Sequence, residues 1–309
     1  MEYALPIIEQ IAMMFIIILI GYILFKLNII TVDGRRQLSE IMLTIVCPAL
    51  IFMVFQKDFS TEIMNGLLWS FLLSFISVII GIVVAALSVR KSSEDYNIGR
   101  FCIAYTNCAF MGIPLIYGMF GDEGVLYLTA YITFFNIFVW SHGVMQIKQQ
   151  SGFKELLGIL RSPTIISVVL ALLCFVTGFR IPSVPATALN YIKELNTPIA
   201  MLIAGATMAQ SDMLGAVRKI KIMWPVFVKL VLLPVIVVFV FKLLPVPSEM
   251  VFTSNVIAAA CPTATIGTMF ALRHGKNATM ASEIFAISTL LSAVSLPLVA
   301  LFSNYIFNL

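Results

Sequence analysis

Residues 107–114 read NCAFMGIP and residues 255–262 read NVIAAACP, so the pattern N-x6-P occurs twice, 148 residues apart. Pro48 and Pro198 repeat at a similar offset of 150 residues. Prolines are common in membrane helices and two of them align easily by chance; the matching asparagine makes the offset read as an internal duplication. Both copies lie inside long apolar runs, so the pattern sets two amides and two helix breakers at matching places in the chain.

The composition says what kind of chain carries this pattern. With 309 residues, 61% hydrophobic and 11% charged, at a mean hydropathy of +1.03, there are too few polar side chains to coat a soluble globule. A spanning helix uses about 20 apolar residues, so ten take roughly 200 and leave about 100 for connections. That disfavours a receptor with a folded extramembrane domain, a pump with its own nucleotide domain and a water-soluble enzyme. Ten apolar runs are read at 7–25, 38–55, 63–89, 98–120, 125–147, 163–179, 187–209, 222–244, 250–272 and 278–306. Of the 19 Lys and Arg residues, 14 fall in one set of alternate loops and 4 in the other, while Lys229 lies inside a span. Cytoplasmic loops hold the basic excess, which predicts a multi-pass protein of the plasma (cell inner) membrane with both termini outside. The amino terminus lacks the basic start of a cleavable signal, so the first run is expected to be retained.

Five spans per half is an odd number, so the halves, 1–150 and 151–309, are predicted to be inverted in the membrane. Inverted repeats with interrupted helices at matching positions point to a secondary transporter with its site near the midplane. Proline removes an amide donor and clashes with the carbonyl four residues back, so Pro114 is expected to free the carbonyl of Phe110 and Pro262 that of Ala258. Such groups must find partners or face a wet cavity. Beyond each break a second half-helix begins, and its positive end suits a carboxylate. Gly112 admits close approach of backbone or substrate. Two such helices crossing would set Asn107 and Asn255 face to face at the site.

Other polar residues inside the runs divide between function and packing. Lys229 and Glu283 are read either as a pair coupling transport to protons or as a snorkelling lysine and a packed carboxyl. His142 reads as a hydrogen-bonded packing residue, and Thr129, Thr133 and Asn136 as a stripe for interhelical hydrogen bonds. Cys47, Cys102, Cys108, Cys174 and Cys261 form no CxxC or Cys/His cluster, so neither metal nor cofactor is expected. The scattered basic residues give no nucleic-acid footprint. An intramembrane enzyme would want GxSG with a helix-borne histidine, or paired aspartates near a membrane face, and neither occurs.

The stretch NCAFMGIPL at 107–115 resembles the fourth-helix motif of the auxin efflux carrier family, which includes plant auxin exporters and bacterial malate or malonate permeases. DGRRQLSEIMLTIVCPALIF at 33–52, NTPIAMLIAGATMA at 196–209 and CPTATIGTMFAL at 261–272 resemble its other motifs, and the short segment from Lys148 to Arg161 suits its compact bacterial members. The resemblance implies an all-α, ten-helix fold related to bile-acid/sodium symporters and sodium/proton antiporters. Spans one, two, six and seven would form a scaffold, usually a homodimer, and spans three to five and eight to ten a transport domain that moves as an elevator. The substrate would be a small organic anion, a dicarboxylate or an auxin-like carboxylate. Asn107, Cys108, Met111, Gly112, Pro114, Asn255, Pro262 and Thr263 would line its site, with Lys229 and Glu283 as ion-coupling candidates. The coupling ion would be a proton or sodium, although the ninth span lacks the glutamate of the sodium-coupled relatives. The alternatives are a sodium-coupled organic-anion symporter and a non-transporting sensor of an organic acid. Cysteines introduced at the two termini are expected to react with a membrane-impermeant thiol reagent applied to intact cells; labelling of the two from opposite sides contradicts the inverted arrangement.

Overall fold

The computed structural model describes residues 4–58, 60–91, 95–148 and 162–309. The connection between the fifth and sixth expected spans, after Lys148, lies outside the described residues. The helices are α1 (Ala4–Lys26), α2 (Val32–Val54), α3 (Thr61–Ser88), α4 (Tyr96–Ala104), α5 (Cys108–Lys148), α6 (Pro163–Thr177), α7 (Ser183–Glu194), α8 (Asn196–Met208), α9 (Met213–Ala216), α10 (Ile220–Lys242), α11 (Glu249–Ala260), α12 (Ile266–Arg273) and α13 (Ala278–Phe307). No strand occurs among the described residues. Six of the helices, α1, α2, α3, α5, α10 and α13, are long and apolar enough to cross a membrane. The fourth, seventh and ninth expected spans are each split between two helices, and the sixth is the short helix α6.

Short polar side chains start the helices where the chain leaves an apolar run. The hydroxyls of Thr31, Ser60 and Ser248 accept the first free amides of α2, α3 and α11, and the Asn277 amide oxygen does so for α13. Gly178, at φ 70°, ends α6 in the left-handed conformation that glycine adopts without strain. Gly121, at φ 61° and ψ −151°, interrupts α5 and separates the fourth expected span from the fifth.

Pro114 acts differently from expectation, and two other prolines share its setting. Pro48, Pro114 and Pro234 each lie two residues past a π turn, at Met42–Val46, Cys108–Gly112 and Val228–Leu232 respectively. The wider turn carries the ring and the missing donor without ending the helix. The break near Pro114 therefore lies at residues 105–107, ahead of the π turn, whereas Pro262 sits inside its own break between α11 and α12.

The most extensive helix pairing joins α1 to α8. Gly21 and Gly205 make it close: a Cβ on Gly205 would overlap the Ile18 carbonyl oxygen, and one on Gly21 would lie 2.5 Å from that of Leu202. Small residues let membrane helices touch backbone to backbone. Gly205→Ala is expected to push the two helices apart and cost about 1–3 kcal/mol, read as a lowered Tm of the purified protein in detergent. An unchanged Tm would show that the seam yields.

Candidate functional site

The two helix breaks meet. The backbone N–H of Asn107 donates to the Pro262 carbonyl at 2.7 Å, and that of Ala264 donates to the Tyr105 carbonyl at 3.0 Å. Thr106 and Thr263 thereby form an antiparallel bridge, the one isolated bridge among the described residues. Threonine hydroxyls take up carbonyls left over. The Thr106 hydroxyl donates to the Ala258 carbonyl at 2.8 Å and lies 3.1 Å from that of Cys261, and the Thr263 hydroxyl donates to the Cys102 carbonyl at 2.9 Å. The Ala258 carbonyl freed by Pro262 is thus satisfied from the opposite break.

A cavity of about 380 Å³ opens beside this meeting point. Two helix starts border it: Asn107, Ala109 and Phe110 at the head of α5, and Ala264, Thr265 and Ile266 at the head of α12. The first amides of a helix have few acceptors within it; at α12 those of Gly267 and Thr268 turn back to the Ala264 and Thr265 carbonyls and at α5 that of Met111 to Asn107, so the donors and partial positive charge that remain belong to the first residues of each head. Asn107 is buried, its side chain makes no cap, and its Nδ2 has no hydrogen-bond partner among the described residues. The remaining wall is largely apolar, with Leu43, Cys47 and Ile51 from α2 and Ile132, Phe135 and Trp140 from α5. None of the described residues lining it is charged.

The structure divides the expected site residues. Asn107 lines the cavity; Cys108, Met111, Gly112 and Pro114 follow it in α5 without lining, and Pro262 and Thr263 hold the opposing break. Cys108 and Cys261 approach each other near Gly112, where a Cβ would lie 3.3 Å from the Cys261 sulfur and 3.7 Å from the Cys108 Cβ. Asn255 is elsewhere. It lies within α11, where Nδ2 donates to the Ser70 hydroxyl and the Val251 carbonyl while Oδ1 accepts from Ser74, so its amide ties α11 to α3. The residues that the bridge pairs are 157 apart, not 148, and the matched asparagines therefore hold different positions relative to their breaks. Thr106 and Thr265 are site residues that the asparagine-proline pattern passes over; hydroxyls flanking a break in an apolar run are the signal for them.

Lys229 and Glu283 do not pair. Glu283, buried in α13, accepts from Lys219 at 2.7 Å, and this hydrogen bond holds the Lys219 ammonium above the usual lysine range. A raised value makes the contribution of Lys219 complete below the ordinary lysine range and lost only as pH climbs through the raised one, so it does not switch near neutrality. Lys229 does not snorkel either. It is fully buried, and its ammonium donates to the Ala259 carbonyl at 3.3 Å. The stripe of Thr129, Thr133 and Asn136 bonds back to carbonyls of its own helix rather than across helices, and Asn136 also lines the cavity. His142 behaves as a packing residue: its Nδ1 lies 2.8 Å from the Tyr105 hydroxyl, which also reaches the Phe138 carbonyl.

Known proteins place this arrangement. The membrane transport protein family matches the chain over residues 6–300. The chain belongs to that family. This is the family that the stretch at 107–115 pointed to. Similar members are an uncharacterized transporter of Methanothermobacter thermautotrophicus, 21% identical over 294 residues that cover 94% of this chain and 96% of that one, and the uncharacterized transporter MJ1031 of Methanocaldococcus jannaschii, 22% identical over 65% of this chain and 68% of its own. The uncharacterized transporter YfdV of Escherichia coli K12 is 27% identical over 151 residues, 49% of this chain and 47% of its own. A multi-pass membrane transporter is the reading common to family and helices, and transporter names among relatives point away from an enzyme.

The hydrogen bonds separate packing from binding. Asn255→Ala and Thr106→Val are each expected to lower stability by about 1–3 kcal/mol, since both strand buried partners. Asn107→Ala, which strands none, is expected to melt near wild type without added ligand. Thermal unfolding of the three variants in detergent checks this; a large loss for Asn107→Ala would make that side chain a structural cap.

Proposed function

We propose that the chain is a secondary carrier for a small organic anion with one carboxylate and an apolar body. The observation that carries this is the cavity: two helix heads and the unpartnered Asn107 amide supply donors, and the rest of the lining is uncharged and mostly apolar, with Phe135 and Trp140 among the hydroxyls of Thr44, Ser162 and Thr164 and the Asn136 amide. A carboxylate accepts from the donors and an apolar body fills the remainder. No cationic side chain among the described residues lines the cavity to meet a second carboxylate, which favours a monocarboxylate over malate or malonate.

In the mechanism we infer, the meeting breaks are the crossover of two inverted five-span repeats, 1–150 and 151–309, with both termini outside the cell. The unit holding α1, α2 and α6 to α8 serves as scaffold and pairs with a second copy; α7, none of whose residues is buried by its own chain, offers a face for this. The unit holding α3 to α5 and α10 to α13 carries the site and moves as an elevator. In that orientation the cavity, running from the breaks toward Trp140 and the start of α6, faces the cytoplasm. The opposite side is closed by Lys193 of α7, whose ammonium lies 2.5 Å from the Asp122 carboxylate and 5.6 Å from the centre of the Tyr117 ring. Asp122 is 14 residues from Asn136 along α5, about 21 Å of helix, so this contact is remote from the cavity and suits a gate.

Calorimetry and thermal-shift measurements with a panel of organic acids test the assignment. Aromatic or branched monocarboxylates are expected to bind at least about tenfold more tightly than malate or malonate. Asn107→Ala is expected to weaken them about 5- to 150-fold, the range for losing a hydrogen bond to a charged group. Tighter binding of the dicarboxylates, or unchanged affinity in Asn107→Ala, would refute it.

A further inference from the structure

Lys229 is the outstanding electrostatic feature of the fold. It sits on the π turn Val228–Leu232 of α10, which packs against α4, α11 and α13, and it is fully buried. The other buried charged residue among the described ones, Glu283, is engaged by Lys219. Lys229 has no ion-pair partner among the described residues, and one carbonyl, that of Ala259 in the last turn of α11, accepts from it. An ammonium has three donors, and burying it unpaired carries a large desolvation cost. The negative end of α11 offsets part of this.

The position of that charge gives it a use. The Ala259 carbonyl that it meets lies three residues before Pro262, and the π turn packs against both α4 and α11, the helices that run into the two breaks. The Pro262 carbonyl in turn accepts from the Asn107 amide. Lys229 therefore sits at the end of α11 that runs into the bridge, without lining the cavity itself.

We propose that Lys229 is the fixed counter-charge of the transported anion. It does not touch the substrate; its field acts through the bridge on the carboxylate held at Asn107. This rests on the carrier reading above and adds a statement about charge. The loaded site is neutral and crosses the membrane without moving net charge. The empty site carries one positive charge and feels the membrane potential on its return. An inside-negative potential then draws the empty site inward and drives anion export, up to about a tenfold gradient per 60 mV.

The test uses full-length protein in liposomes, with phenylacetate as the probe. Voltage steps on substrate-free wild type are expected to give a transient charge movement that saturating phenylacetate suppresses. Lys229→Gln keeps an N–H donor for Ala259 and removes the charge. It is expected to lose the substrate-free transient and to bind phenylacetate at least about tenfold more weakly. The wild-type recording stands by itself if that variant does not fold. Protein that neither binds nor moves phenylacetate overturns the substrate reading and the counter-charge with it. Protein that moves phenylacetate but shifts charge only when loaded, or whose Lys229→Gln variant keeps wild-type affinity and transient, overturns the counter-charge alone.

Discussion

The hydrogen-bond exchange between residues 105–107 and 262–264 is the constraint on which the rest of the structure depends. A helix that stops inside an apolar region leaves amides and carbonyls that lipid cannot satisfy. Here each break completes the other: Asn107 donates to Pro262, Ala264 donates to Tyr105, and the two threonines cover the carbonyls that remain. Neither break is tolerable without its partner, so α4, α5, α11 and α12 form one polar knot enclosed by apolar helices. The cavity lies beside the two helix heads that emerge from the knot.

The knot and the seam between α1 and α8 differ in how their contacts are made. At the knot the contacts are directional, and the Asn107 Nδ2 donor, which borders the cavity, is left without a partner among the described residues. Along α1 and α8 they are steric, backbone against backbone. Between these two regions lie discrete polar contacts: the Gln10 amide donates to the Pro114 carbonyl at 3.0 Å, and the Lys193 ammonium meets the Asp122 carboxylate.

The sequence made the class of the fold readable because bilayer physics acts on averages. Apolar length and basic loops survive any local irregularity, and the long helices α1, α2, α3, α10 and α13 fall where the apolar runs lie. The site was partly readable. The stretch at 107–114 marked one break and its free amide, but the same spacing at 255–262 led to an asparagine bonded to Ser70 and Ser74. Spacing records distance along the chain, while the break in the first half comes before the π turn and that in the second at the proline, so equal spacing yields unequal geometry. The partners of Lys229 and Glu283 were unreadable for a related reason. Both lie at similar depth, yet rotation about α10 and α13 sends one to the Ala259 carbonyl and the other to Lys219, and no residue count fixes that rotation.

The glycine seam between α1 and α8 also bears on how the protein is made. Gly21 and Leu202, which meet there, are 181 residues apart in the chain. At a synthesis rate of about 5–20 residues per second, α1 waits roughly 10–40 s for the helix it packs against. During that interval its glycine groove faces lipid or whatever other helix is at hand, because no bulky side chain guards it. The seam between α1 and α8 thus closes only after the intervening helices, with the break at residues 105–107 still unmatched, have been made.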